Sequence, residues 1–124
     1  MAKKERPDVV NGKTPRFQTN CGKLYITLNK IDEELGEVKI ELGKSGHCQK
    51  TLLTFIGVLL SKLLQTEITQ EELHKFLKKN GVEANCGQHF IIKGAKYFSC
   101  LDLISRNCID ELNKEEKCAN EKKT

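Results

Sequence analysis

No two of the six cysteines stand in a C-x-x-C pair, so the spacing that marks most zinc sites is missing. No apolar run is long enough to cross a bilayer, because the candidate near Leu52 to Leu64 is interrupted by Thr54, Ser61 and Lys62. The start, Met1 to Glu5, is polar and lysine-bearing, with no apolar core of a secretory signal behind it. Together these gaps predict a cytoplasmic protein with reduced thiols and no membrane contact. The chain also lacks an internal repeat, and neither His74 nor His89 has an acidic neighbour at motif spacing. No general acid–base pair is visible, and the expectation is a protein that is not an enzyme.

What is present suits one soluble domain. A chain of 124 residues with 31% charged residues and a formal net charge of +4 mildly favours anionic partners. The excess is spread along the chain and densest at the two ends, which argues against DNA as the partner. The expected division is a single domain over residues 1–112 with an extended N-terminal arm, then a charged, aperiodic and disordered tail over residues 113–124. Within the arm, a turn is expected at Asn11-Gly12.

The organising stretch runs from Glu37 to Gln65. Val38, Ile40 and Leu42 alternate with Glu37, Lys39 and Glu41, the period of a half-buried strand. Leu24, Ile26 and Leu28 alternate in the same way over Lys23–Asn29, and the short acidic link Asp32-Glu33-Glu34 predicts that the two strands form an antiparallel hairpin. Helices are expected to begin near His47, Gln70 and Cys100, the last two opened by the capping boxes Thr69…Glu72 and Ser99…Asp102. Phe90-Ile91-Ile92 is a candidate third or fourth strand, closed by Gly94. The fold class is therefore α+β: an antiparallel sheet with helices packed mainly on one face.

The helix from His47 to Leu64 is apolar nearly all round. Either a partner subunit or the chain's own second helix covers its surplus face, and mid-helix Gly57 marks a close backbone approach. The first alternative makes the protein a homo-oligomer, a dimer at least.

The turn Gly43-Lys44-Ser45-Gly46 before that helix fails the Walker pattern, which needs Gly where Val38 stands. What remains is either an anion nest at a helix start or a tight connection between strand and helix. On the first reading, Gly43, Lys44, Ser45, Gly46 and His47 hold phosphate, Arg16 and Arg106 supply further cations, and an aromatic such as Phe98 faces the base. Phe17, Tyr25 and Tyr97 are further aromatic candidates. The ligand implied is a small phosphate-bearing nucleotide, with no cofactor. His47 beside Cys48 could activate a thiol, but neighbours in sequence diverge on a helix, so a cap residue and a small buried thiol are the plainer account. Cys21, Cys48, Cys86 and Cys100 each fall at a glycine-flanked turn or a helix start, and a four-thiolate zinc site is the alternative to separate buried cysteines.

Arg6-Pro7, Gly12-x-Thr14-x-Arg16, Cys21-Gly22-x-Leu24-Tyr25-Ile26-Thr27, Glu37-Val38, Leu42-Gly43-Lys44-x-Gly46-x-Cys48 and Phe98-Ser99-Cys100-Leu101-Asp102 occur in this order. The set resembles the TSCPD domain, named for its closing Thr-Ser-Cys-Pro-Asp motif, over about Arg6 to Leu112. Phe98 replaces the motif's Thr and Leu101 its Pro, so the motif's chemistry is altered here. The family's domain is similar to the C-terminal part of adenosylcobalamin-dependent ribonucleotide reductases and also occurs as small stand-alone proteins. The resemblance implies association with nucleotides. Small phage-borne proteins of similar size and element order act as anti-Thoeris sponges for cyclic ADP-ribose isomers or cyclic oligonucleotides, and the chain resembles these. The expected function is non-catalytic nucleotide binding, with signal sequestration as its purpose; the alternative is a regulatory or accessory module of ribonucleotide reductase.

Overall fold

Two ten-residue strands on either side of a two-residue turn form the centre of the main sheet. The computed structural model describes residues 5–43 and 47–122. Strand β1 (Asn11–Lys13), strand β2 (Arg16–Thr19), strand β3 (Gly22–Ile31) and strand β4 (Glu34–Gly43) make one antiparallel sheet. Asp32 and Glu33, with φ of 54° and 66°, turn β3 into β4 in the left-handed pair of conformations that suits the strands' twist. The register sets Leu24, Ile26 and Leu28 opposite Leu42, Ile40 and Val38, so one face is apolar from edge to edge. The expected hairpin is present and longer at both ends than its alternation indicated.

β1 and β2 share the other side of β3. They are interrupted at Thr14-Pro15, where the Pro15 carbonyl accepts the Ile26 amide at 3.1 Å. The turn expected at Asn11-Gly12 is instead strand. Gly12 lies opposite Asn29, and a side chain there would run into Asn29 and the Leu28 carbonyl, so this glycine allows close approach and does not bend the chain.

β4 is left as a free edge, and helix α1 (His47–Leu64) lies along it. Gly57, Ser61 and Gln65 form the contact line, four residues apart. A Cβ at Gly57 would stand 3.1 Å from both the Ile40 nitrogen and the Val38 oxygen. The Ser61 hydroxyl accepts from the Val38 amide and donates to its carbonyl, both at 2.8 Å, and the Gln65 side-chain amide donates to the Gly36 carbonyl at 3.0 Å. The helix thereby satisfies backbone groups that an open edge would leave free for another chain. The close approach at Gly57 is thus to the chain's own strand.

Helix α2 (Gln70–Asn80) and helix α3 (Cys100–Lys122) close the apolar face. Leu73, Leu77, Leu103, Ile104, Cys108 and Leu112 join the sheet's leucines, isoleucines and Leu60 in one buried core. Thr69 caps α2 by accepting the Glu72 amide at 3.1 Å, and Ser99 caps α3 by accepting that of Asp102 at 3.1 Å. All three helices begin where the sequence predicts.

Two further expectations need correction. Residues after Asn113 are not a disordered tail as far as Lys122, because α3 continues through them. Lys and Glu favour helix, and Glu115 accepts the Leu35 amide, anchoring this stretch to β4. Phe90–Ile92 is strand β5, but it pairs with strand β6 (Ala95–Tyr97) in a separate two-stranded sheet and adds nothing to the main one. Lys93 and Gly94, with φ of 50° and 83°, make its tight turn.

The result is an α+β fold with antiparallel sheets. Among the described residues no helix is long and apolar enough to cross a membrane. One stripe of α1 stays uncovered: Leu52, Phe55, Val58 and Leu59 are 51–61% exposed.

Candidate functional site

A groove of about 390 Å³ runs between α1 and the polar face of the sheet. The pleat of β3 and β4 presents Tyr25, Lys39 and Glu41 to it, because these alternate with the buried Ile26, Ile40 and Leu42. Lys50, Thr54 and Val58, again four residues apart, line it from the helix. Gly43 stands at its end, where β4 stops and the link to α1 begins. The first turn of α1 contains no acidic residue, so nothing there offsets the positive end of its dipole. Lys39 and Lys50 are exposed cations, Tyr25 is a half-buried ring, and Glu41 works against any anion. Two cations, one of them in the first turn of α1, and an aromatic face in one groove can hold a phosphate and stack a base.

A second cluster of polar groups lies at the start of α3, and its members are already satisfied. Asp102 is fully buried. One carboxylate oxygen accepts from Arg106 Nε at 2.8 Å and the other from the Phe98 amide at 3.0 Å. The Arg106 guanidinium lies over the Tyr97 ring, 4.9 Å from its centre. Phe98 meets His89 edge-on at 4.7 Å and has Lys96 Nζ 5.4 Å from its ring centre. The motif's aspartate is thus a structural anchor that ties α3 to the residues before it.

The structure separates the residues chosen from sequence. Gly43 borders the groove; Lys44, Ser45, Gly46 and the side chain of His47 lie outside the described residues. Arg16 is exposed on β2 as the cross-strand partner of Tyr25, next to the groove wall and not in its lining. Phe98 and Arg106 belong to the α3 cluster and do not line the groove. Arg106, an assumed free cation, is engaged by Asp102. Sequence reasoning missed Lys39 and Lys50. The signal was present: Lys50 is four residues from Thr54 and eight from Val58, on the helix that follows a strand carrying Lys39.

Among the described residues no group of three or more His, Cys, Asp or Glu side chains could hold a metal ion. Cys48 is exposed at the start of α1. Cys100 is half-buried, and its thiol is pushed up to about 11, first by burial and then by the nearby Cys21 and Cys86 thiols, against a hydrogen bond to Thr19 that lowers it. Cys108, buried in the core, is pushed up to about 12 by burial and by Glu111. Both thiols are held protonated at neutral pH and are poor nucleophiles. His89 is paired with the Asn85 side-chain oxygen at 2.9 Å.

A family model described as TSCPD domain matches residues 1–111. No curated protein matches the chain, and no solved structure does.

Proposed function

Because the chain belongs to the TSCPD domain family, a domain known from ribonucleotide reductases, we propose that it is a non-catalytic binder of a small phosphate-bearing nucleotide. The observation that carries this reading is the groove, which Lys39 of β4 and Lys50 of α1 both line, together with Gly43 and Tyr25. Phosphate oxygens meet the two ammonium groups, one of them in the first turn of α1, while the base lies against Tyr25. Each charge-assisted hydrogen bond contributes ~1.5–3 kcal/mol, against ~0.3–1 kcal/mol from the helix dipole, so the lysines decide affinity. The finer reading is a sponge for cyclic ADP-ribose-type or cyclic oligonucleotide signals, acting in the cytoplasm as a homo-oligomer through the uncovered stripe of α1.

The test is calorimetric titration of the purified protein with cyclic ADP-ribose isomers and cyclic oligonucleotides, followed by heat release and chromatography of the ligand. Binding with intact recovery, weakened tenfold or more by Lys39→Ala and by Lys50→Ala at unchanged Tm, is expected. A cleaved product would make the protein an enzyme. Binding indifferent to both lysines would move the site elsewhere. No nucleotide binding, together with co-purification of a ribonucleotide reductase, would favour the accessory-module reading.

A further inference from the structure

Two cysteines far apart in the chain, Cys21 and Cys100, share the hydroxyl of Thr19 at the margin of the core, and neither lines the groove. Cys21 lies in the turn between β2 and β3, Cys86 in the loop before β5, and Cys100 is the first residue of α3. The buried Thr19 hydroxyl joins two of them: it accepts from the Cys21 amide at 3.1 Å and from the Cys100 thiol at 3.6 Å. The Cys86 amide donates to the Phe98 carbonyl at 3.1 Å, which holds that loop against the start of α3. The Gln49 side-chain amide reaches the Cys21 sulfur at 3.6 Å from α1. Cys21 and Cys100 are both half-buried.

We infer that Cys21 and Cys100 are a dithiol that low-molecular-weight disulfides oxidise to an internal disulfide, a covalent modification site independent of the nucleotide groove. In the first step the Cys21 thiolate attacks one sulfur of the small disulfide, forms a mixed disulfide and expels one small thiolate. In the second, Cys100 gives up its proton, attacks the Cys21 sulfur and expels the other half. The two protons released by the protein thiols reappear on the two small thiols, and the small disulfide is the oxidant that is reduced. The closeness of Cys21 also fits the raised Cys100 pKa, since two thiolates side by side repel. The second step therefore accelerates as pH rises.

The bridge would fasten the turn before β3 to the start of α3, far apart in the chain. Closing so long a loop restricts the unfolded state, and the Tm should rise by roughly 10 °C. The test incubates the reduced full-length protein with oxidised glutathione, blocks remaining thiols with iodoacetamide under denaturing conditions and maps peptides by mass spectrometry. A Cys21–Cys100 linked peptide, the rise in Tm, and the loss of both in Cys21→Ser and in Cys100→Ser are expected. Serine at 100 can keep the contact to Thr19, and Cys21→Ser, in the turn before β3, provides a second variant if the first folds poorly. Glutathione adducts with no internal bridge, a Cys86–Cys100 bridge in its place, or a Tm rise that persists in Cys21→Ser would overturn the assignment.

Discussion

One hydroxyl, that of Ser61, satisfies both backbone groups of Val38, each at 2.8 Å, and so fixes α1 against the edge of β4. Ser61→Ala would leave a part-buried amide and carbonyl without partners under a helix that limits access of water. The expected loss is ~1–3 kcal/mol, read as a shift of the urea midpoint at unchanged slope. A change below ~0.5 kcal/mol would mean that water replaces the hydroxyl.

Asp102 and Arg106 form the other anchor. The carboxylate is fully buried and the Arg106 side chain 30% exposed, so removing the arginine strands a charge while solvent relieves part of the cost. Arg106→Ala should destabilise by ~2–4 kcal/mol, somewhat under the usual figure for a fully buried pair, and should leave nucleotide affinity within twofold in the surviving folded fraction. A selective loss of affinity at unchanged stability would return Arg106 to the binding site.

The hairpin, the three helix starts and the capping residues were legible because each is a local signal: alternation with period two, or a Ser or Thr three residues before an acid. The seating of α1 was not, since its contact line of Gly57, Ser61 and Gln65 contains no large apolar residue and reads as a weak face of the helix. Three-residue strands such as Phe90–Ile92 are too short to reveal which sheet they join. In the site, Gly43 was legible from the turn, but the partners of Arg106 and the meeting of Lys39 and Lys50 in one groove depend on tertiary packing. A cation can be read from sequence; whether a buried carboxylate already holds it cannot.

Acid should weaken the fold through two carboxyls. For Glu37, burial raises the pKa, but hydrogen bonds from Arg6 and Asn29 and the charges of Arg6 and Lys39 outweigh it, and the net shift is downward. Glu111 is likewise raised by burial and lowered further by Lys13 and Lys114. A lowered folded-state pKa contributes stability that is present above the unfolded value of ~4.3 and lost as pH falls through the folded value. Glu115, raised chiefly by burial, has the opposite sign and softens the loss. Thermal melts should therefore show Tm falling below about pH 4.3, with a shallower fall in Glu37→Gln and Glu111→Gln. An acid limb equally steep in both variants would assign the effect to other groups.

The uncovered stripe of α1 leads to the last prediction. Leu52, Phe55 and Leu59 recur at helical spacing on the side turned away from β4, and each is more than half exposed. Leu60, by contrast, is buried in the chain's own core. The stripe carries no charge; α1 contains no acidic residue, and Lys50 and Lys62 lie toward its two ends. Burying such side chains against a second copy contributes ~1.5–3 kcal/mol each, and the partner needs only the same apolar surface, as a two-fold interface supplies. Phe55→Asp and Leu59→Asp should each convert an assembled protein to folded monomers, since a charge in a dry interface has no partner and on an exposed helix costs little. Leu60→Asp should instead unfold the chain. Multi-angle light scattering at micromolar concentration, with circular dichroism to confirm folding, separates these outcomes. A wild-type protein that scatters as a monomer would remove the oligomer from the reading, and the stripe would then have to be covered by a different protein.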